Sequence, residues 1–203
     1  MSDAPQTSAA LFPLGQPLYP GVAMKLRIFE QRYLKLVRES MRTQTPFGVV
    51  PIVRGREVGA APEFYPWGTL ARIVDFDQQP DGLLGITIAG ERRFQVLDAR
   101  VEDDGLIVAN LEPCGEEPRQ PLAEDQGDLG QLLDELVAGL QVDHLFPAEP
   151  PTLAELSWRL ATLLPLPGGV KISLLAEHDP RVRLEVLRTC LAEMATAQGG
   201  TTN

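Results

Sequence analysis

The feature that most constrains this chain is a run of short apolar strands joined by tight turns between residues 68 and 112. The turn "QQPDG" separates "GTLARIVDF" from "LLGITIAG", and Asp104-Gly105 separates "RFQVLDARVE" from "LIVANLE". Pro80 presets φ and Gly82 supplies the positive φ of a tight turn, so each pair of strands is predicted to form a hairpin. A chain of this kind builds an antiparallel sheet.

The residues before this meander predict further strands and one helix. "VAMKLRI" is typical of a strand, and "FEQRYLKLVRESMR" places Tyr33, Leu34, Val37 and Met41 on one helical stripe. "FGVVPIV" returns as a strand, in which Pro51 suggests an edge or a bulge. Six or seven short strands with one inserted helix, all before residue 115, predict a closed or nearly closed β-barrel, because closure removes exposed strand edges.

Beyond a segment rich in proline, glycine and charge at residues 113–128, the apolar period changes from 2 to 3.6. Four helices are predicted there, including one that begins with a capping box at Thr152 and Glu155 and a last one that begins at Asp179-Pro180. The last helix is predicted to present one apolar side, made of Val182, Val186, Cys190 and Met194.

The predicted fold class is therefore α+β, a β-rich N-terminal part followed by a small C-terminal helical bundle. We predict a β-barrel domain over residues 10–117 and a helical domain over residues 118–197. Residues 1–9 and 198–203 are predicted to be flexible tails.

Composition excludes several classes of partner. The formal net charge is −10 and the pI is about 4.7, so the surface repels phosphate backbones and anionic lipids. The N-terminal residues lack the features of a signal peptide, no apolar run is long enough to span a bilayer, and only Cys114 and Cys190 occur. We expect a cytoplasmic protein of bacterial type without nucleic-acid or membrane partners, and the sequence leaves its oligomeric state open.

Catalytic motifs are absent from the sequence. It contains neither a phosphate-binding P-loop nor a G-x-S-x-G nucleophile elbow, and His144 and His178 have no neighbours with metal-ligand spacing. The carboxylate pairs Asp103-Asp104 and Glu116-Glu117 lie in a predicted turn and a predicted linker, where carboxylates are normally solvated. We therefore predict no catalytic residue, no metal site and no cofactor.

One segment has the composition of a binding surface. "APEFYPWGTL" places Phe64, Tyr65 and Trp67 within four positions, and Pro62 and Pro66 indicate that these aromatic residues lie on a loop. Such a loop is either a lid that packs back on the barrel or a binding surface for apolar groups.

Taken in order, the motifs resemble the LON domain, the N-terminal substrate-recognition domain of the Lon protease family. "LFPLGQPLYPG" and "LRIFEQRY" are similar to the family's opening strand and to its signature Ile-Phe-Glu-x-Arg-Tyr. "GTLARIVDF", "ITIAGERRFQV" and "LPLPGGVKISLLAEHDPRVRLEVL" follow in the family's order, so the resemblance covers about residues 10–195.

The resemblance implies that the barrel is PUA-like and that the signature residues specify the fold. These residues are Phe12, Pro13, Pro20, Gly21, Phe29, Glu30, Arg32, Tyr33, Gly68, Gly90 and Arg93. Glu30 is expected to lie favourably at the start of the inserted helix, and Arg32 and Tyr33 to hydrogen-bond back to barrel loops. Phe29 and Tyr33 are expected to be buried.

The resemblance favours a non-catalytic module that binds unfolded or apolar polypeptide segments, in protein quality control or as an adaptor. The ATPase P-loop and the Ser-Lys dyad of the full protease are not found in the sequence, so we expect no enzyme activity. Two alternatives stay open: a small-molecule-binding protein or enzyme with a pocket between barrel and bundle, and an RNA-binding PUA-like module, which the acidic charge disfavours.

Overall fold

The computed structural model describes residues 7–123 and 126–199. Its strands are β1 (Thr7–Leu14), β2 (Ala23–Ile28), β3 (Phe47–Arg54), β4 (Glu63–Phe64), β5 (Trp67–Gln78), β6 (Leu84–Val101) and β7 (Ile107–Pro113). Its helices are α1 (Gln31–Thr43), α2 (Gly127–Leu140), α3 (Leu153–Leu163), α4 (Gly168–Ala176) and α5 (Pro180–Gly199), with a 3-10 turn at Asp143–Leu145.

Strand pairing closes a β-barrel. β1, β7, β6, β5 and β3 pair in that order, and β3 returns to β1 through a parallel pairing, whereas the other pairings are antiparallel. β2 adds to β6, and the two-residue β4 adds to β3. The predicted α+β class, with a barrel that contains one inserted helix and is followed by helices, is confirmed.

Both predicted hairpins form, with Gly82 and Gly105 each at a φ of 82°. One prediction about the strands is wrong, because "LLGITIAG" and "RFQVLDARVE" belong to the single strand β6. This strand of 18 residues pairs with β2 and β5 over its first part and with β7 over its last part. Because β6 is continuous, it pairs with three neighbouring strands along its length.

The chain divides into two compact units. The first contains the described residues up to Glu116 together with His144–Phe146, and the second contains Glu117–Asp143 and the described residues from Pro147 onward. In the first unit a buried cluster fills the barrel, and it consists of Leu11, Val50, Phe94, Ile107, Ala109 and Leu111. Burial of these apolar side chains is the main stabilising contribution to the barrel.

α1 packs through a face that differs from the predicted stripe. Arg32, Tyr33, Leu36 and Val37 are buried, whereas Leu34 and Met41 are half-buried. Val37 and Tyr33 lie one turn apart, and Leu36 completes the apolar face at the i, i+3 spacing that follows from 3.6 residues per turn.

The second unit is helical. α3 begins with the predicted capping box, in which the Glu155 N–H donates to Thr152 Oγ1 at 3.3 Å and the Thr152 N–H donates to Glu155 Oε2 at 2.7 Å. α5 begins at Pro180, and the Arg181 N–H donates to Asp179 Oδ1 at 2.8 Å, as a capping residue requires. Eight of the eleven residues of α3 are buried, including Trp158.

The predicted apolar side of α5 is wrong. Val182 is 40% exposed and Val186, Cys190 and Met194 are only half-buried, whereas the buried residues of α5 up to Thr196 are Arg183, Leu184 and Leu187. The prediction followed apolar residue types alone and therefore missed that a buried arginine contributes to the packed face.

The chain ends differ from the predicted tails where the structure describes them. β1 begins at Thr7 and α5 extends to Gly199, so residues 7–9 and 198–199 belong to regular elements. The rest of the predicted tails, residues 1–6 and 200–203, lies outside the described residues. Among the described helices, none combines the length and the apolar character that crossing a membrane requires.

Candidate functional site

Phe64, Tyr65 and Trp67 lie where β3, β4 and β5 meet, and we call this group the aromatic corner. Phe64 belongs to β4 and faces Ile52 of β3, and Trp67 is the first residue of β5. The prediction that all three lie on a loop is therefore wrong. Pro62 and Pro66 have no backbone N–H to donate to a neighbouring strand, which limits β4 to two residues.

Backbone hydrogen bonds hold the aromatic corner on both sides. The Tyr65 N–H donates to the Pro51 carbonyl at 2.8 Å, and the Val96 N–H donates to the Pro66 carbonyl at 2.7 Å. A site on such strands is positioned by the barrel rather than by a mobile segment.

The three aromatic side chains are all half-buried. Phe64 packs against the buried cluster of the barrel, so part of its ring contributes to the core. The aromatic corner thus presents partly accessible ring surface on a fixed backbone, which is an arrangement that apolar ligands use.

The start of α1 gathers several of the signature residues. The Arg32 guanidinium is 6% exposed, and its Nη1 donates to the Gly105 carbonyl of the β6–β7 turn at 3.1 Å. Its Nη2 lies 3.0 Å from Glu30 Oε2 as an ion pair. The expected hydrogen bond from Arg32 to a barrel loop is therefore present, and it anchors the helix to the hairpin.

Tyr33 and Phe29 have opposite environments. The Tyr33 ring is 5% exposed and stacks on Phe12 with ring centroids 4.1 Å apart, and burial raises the pKa of its hydroxyl. Phe29 is 51% exposed, so the expectation that it is buried is wrong. Ile28, at the end of β2, takes the inward position, and the alternation of an extended chain turns the next side chain outward.

The other signature residues occupy positions where the barrel is crowded. Pro13 is buried and faces Val50, and Arg93 is 3% exposed opposite Thr69. A Cβ at Gly90 would collide with the Tyr19 carbonyl, and one at Gly68 would collide with the Val49 carbonyl. Both collisions involve backbone atoms, which cannot move aside as side chains do.

The turn between β1 and β2 contains Pro20 and Gly21. Gly21 has a φ of 73° and its N–H donates to the Gly90 carbonyl at 2.9 Å, while the Gly90 N–H donates to the Val22 carbonyl at 2.9 Å. Pro20 is half-buried beside this turn. The reciprocal bonds bring the turn against β6, so both glycines serve the close approach of two backbone segments.

Sequence reasoning missed a cleft in the first unit. It has a volume of about 230 Å³ and lies between the end of α1 and the second half of β5. Its lining includes Met41, Ile73, Val74 and Phe76, of which Val74 is 47% and Phe76 is 59% exposed. The alternation of apolar and acidic residues in "VDFD" is the signal that could have indicated an exposed strand here.

A buried arginine in the second unit was also missed. The Arg183 guanidinium is 0% exposed and lies 3.7 Å from the centre of the Trp158 ring. It donates to both carboxylate oxygens of Glu117, at 3.1 and 2.6 Å, and its Nε donates to Ser157 Oγ at 2.9 Å. The prediction that Glu117 is simply solvated is therefore wrong.

The remaining polar candidates include an ion pair and two thiols. Asp104 accepts a hydrogen bond from Lys35 Nζ at 2.6 Å, which lowers the pKa of Asp104 and raises that of Lys35. Cys114 and Cys190 are both thiols. Within residues 7–123 and 126–199, no group of three or more His, Cys, Asp or Glu residues is placed to hold a metal ion.

Comparison with known proteins identifies the relatives of this chain. The family model for the substrate-binding domain of the ATP-dependent protease La (LON) matches residues 8–193. The crystal structure of a Lon N-terminal domain protein from Xanthomonas campestris is 40% identical, covers 90% of this chain and 98% of that one, and has a TM-score of 0.74.

Two further matches extend the comparison. The N-terminal domain of Mycobacterium avium complex Lon protease shares the fold, with a TM-score of 0.61 at 17% identity over 89% of this chain and 96% of that one. The Lon protease of Amoebophilus asiaticus is 26% identical over 179 residues, which is 84% of this chain and 22% of that protease. The chain thus spans about a fifth of the length of this relative.

Proposed function

Because the chain belongs to the family of LON substrate-binding domains, we propose that it is a non-catalytic module that binds unfolded or partly folded polypeptides, in protein quality control or as an adaptor. The observation that carries the proposal is the aromatic corner. Its three aromatic side chains are half-buried, and backbone hydrogen bonds to β3 and β6 hold the segment that carries them. An unfolded chain offers apolar side chains that such rings bind, whereas a folded protein buries them.

The expected affinity is modest. Each aromatic side chain that becomes buried on binding contributes roughly 1–3 kcal/mol. Ordering a flexible polypeptide offsets much of this gain, so two or three such side chains give a dissociation constant in the micromolar range. Such a module captures exposed segments and releases them again.

The test is a titration of the whole chain with fluorescently labelled β-casein, which lacks a compact fold. We compare the wild type with the double variant Tyr65→Ala/Trp67→Ala, since Phe64 also packs against the barrel core. Binding through apolar contacts should not weaken when salt is raised. The double variant should bind at least tenfold more weakly while its circular dichroism stays unchanged.

The matched control is Val101→Ser, which changes an apolar side chain that is 57% exposed elsewhere on the barrel. This variant should bind β-casein as the wild type does. Equal affinity in the wild type and the double variant would contradict the role of the aromatic corner. If β-casein binds neither the wild type nor either variant, the proposed function itself is contradicted.

We also propose that the chain has no proteolytic or nucleotide-hydrolysing activity of its own. The family match concerns the substrate-binding domain of the protease, and the P-loop is absent from the sequence. Casein degradation and ATP turnover should both stay at the level of a buffer control. Activity that co-purifies with the folded protein and disappears when it unfolds would overturn this proposal.

A further inference from the structure

β5 is longer than its neighbour on one side. β3 pairs with it only at Thr69, Leu70 and Ala71, whereas β6 follows it on the other side as far as Gln78. Among the described residues, no strand pairs with the outer side of residues 72–78. We call these seven residues the β5 edge. Backbone N–H and C=O groups on such an edge are available to an added strand.

The β5 edge has apolar side chains and a cleft beside it. Val74 and Phe76 are about half exposed, and the cleft of about 230 Å³ separates them from Met41 and Thr45 of α1 and its following turn. Phe76 pairs with Ile86 of the adjacent strand β6, so both side chains lie on the same face of the sheet. Strand addition uses this combination, because the backbone supplies affinity and pockets receive alternate side chains.

The charges at the β5 edge select among extended segments. Asp75 and Asp77 are exposed on it, and Arg72 at its start donates to Glu91 at 2.7 Å. The whole chain has a net charge of −10. A segment that carries lysine or arginine between its apolar residues therefore complements this edge, and an acidic segment is repelled.

Asp75 also protects the β5 edge when no partner is bound. The Phe76 N–H donates to Asp75 Oδ1 at 2.9 Å, so the carboxylate of the preceding residue satisfies this backbone donor. An incoming strand would offer a carbonyl group to the same N–H and a cation to the released carboxylate. This exchange keeps the edge from pairing with uncharged or acidic strands.

We propose that the β5 edge binds an extended polypeptide segment of alternating apolar and basic residues as an added β-strand, with one apolar side chain in the cleft. This inference rests on the proposed function, to which it adds a second contact and a preference for basic segments. Phe76 lies nine residues beyond Trp67, which corresponds to about 30 Å along a strand. The β5 edge is thus a separate place of contact from the aromatic corner.

The test uses a fluorescein-labelled peptide of sequence Lys-Val-Lys-Phe-Lys-Val-Lys-Phe-Lys, and a second peptide with glutamate in place of lysine. Phe76→Lys should weaken binding of the lysine peptide at least tenfold, and Asp75→Asn should weaken it several-fold and reduce its salt dependence. The control Val101→Lys alters a side chain of similar exposure on β6 and should leave the affinity within twofold of the wild type. The glutamate peptide should not bind.

Strand addition has its own signature. The lysine peptide should slow amide hydrogen exchange within residues 72–78, and a version with N-methylated backbone at alternate residues should bind at least tenfold more weakly. Equal affinity in Phe76→Lys and the wild type, or protection that appears only elsewhere, would overturn the proposal. If sedimentation instead shows a dimer that Phe76→Lys dissociates and no peptide protection, a second copy of the chain occupies the edge and the proposal is wrong.

The β-casein titration separates the two levels of inference. Suppose that casein binding requires Tyr65 and Trp67, but that Phe76→Lys binds the lysine peptide as tightly as the wild type does. This pair of results contradicts only the strand addition. If the wild type does not bind β-casein, the proposed function is contradicted, whether or not the lysine peptide binds.

Discussion

Arg183 is a buried charge whose hydrogen-bonding groups are matched by neighbours of several kinds. Glu117 supplies a bidentate carboxylate, Ser157 supplies a hydroxyl, and the carbonyl of Glu177 accepts from Nη1 at 2.9 Å. Trp158 covers one face of the guanidinium. The planar fork of arginine suits this set, and a lysine would not reproduce it.

We predict that Arg183→Ala lowers the unfolding free energy of the helical unit by about 3 kcal/mol, because it leaves Glu117 partly buried without its cation. Arg183→Lys should lose less, since it keeps the charge. The measurement is urea unfolding followed by Trp158 fluorescence in a Trp67→Phe background, which leaves one tryptophan as reporter. Arg181→Ala, which removes an exposed arginine from the same helix, is the control and should change the free energy by less than about 0.5 kcal/mol.

The signature residues Phe29 and Tyr33 should differ in their effect on stability. Tyr33→Ala removes a buried ring that stacks on Phe12, and we expect a loss of about 3 kcal/mol. Phe29→Ala removes a ring that is half exposed, so its cost should stay below about 1 kcal/mol. Thermal unfolding of both variants beside the wild type measures this difference, and equal losses would show that Phe29 packs more closely than its exposure indicates.

Tyr19 should make stability depend on alkaline pH. Its ring is 2% exposed, and burial raises the pKa of its hydroxyl far above the ordinary value of about 10. Above pH 10 the unfolded chain releases this proton and the folded chain keeps it, so the unfolded state is favoured. The contribution is therefore intact below pH 10 and is lost as the pH rises toward the folded-state pKa.

Unfolding free energies measured from pH 8 to 11.5 should fall more steeply in the wild type than in Tyr19→Phe, which has no proton to release at this position. Absorbance at 295 nm should show that Tyr19 ionises only when the protein unfolds. Identical slopes for the two proteins would mean that the hydroxyl reaches solvent in the folded state.

At the scale of elements, local turn chemistry and apolar period determine most of what the sequence predicts. The hairpins at Gly82 and Gly105 and the capping box at Thr152 follow from residues within four positions of one another. These features depend on short-range geometry, so they can be predicted from the local sequence alone. The apolar period likewise predicts α2 and α3, whereas the start of α5 is predicted by Asp179-Pro180.

What sequence reasoning missed depends on contacts between distant residues. The union of two predicted strands into β6 depends on its pairing with β2, β5 and β7, and the burial of Arg183 depends on Glu117, 66 residues away. The β5 edge exists because β3 ends its pairing at Ala71. For the candidate site, the composition indicates the aromatic residues but not their place on strands.

At the scale of the whole molecule, the segment with which the second compact unit begins combines exposure with anchoring. The chain passes from the first unit to the second at Glu116 and Glu117. Arg119 is exposed, yet Arg183 binds Glu117 and the Leu153 N–H donates to the Gln120 carbonyl at 2.8 Å. Proteolysis of such a segment requires it to detach locally, so the rate reports the population of the detached form.

We predict that trypsin cuts the wild type after Arg119, within the proposed boundary at residues 113–128, before it cuts anywhere within residues 68–112. Arg183→Ala should speed the cut after Arg119 several-fold, because it removes two hydrogen bonds that hold Glu117, whereas Arg181→Ala should not. The cut after Arg56, in an exposed segment of the first unit, should keep its rate in both variants. Mass spectrometry of early time points identifies each product.

First cuts inside residues 68–112 would contradict the prediction that the barrel is the more resistant part. A cut after Arg119 that is equally fast in the wild type and in Arg183→Ala would show that the Glu117 contact does not restrain the segment.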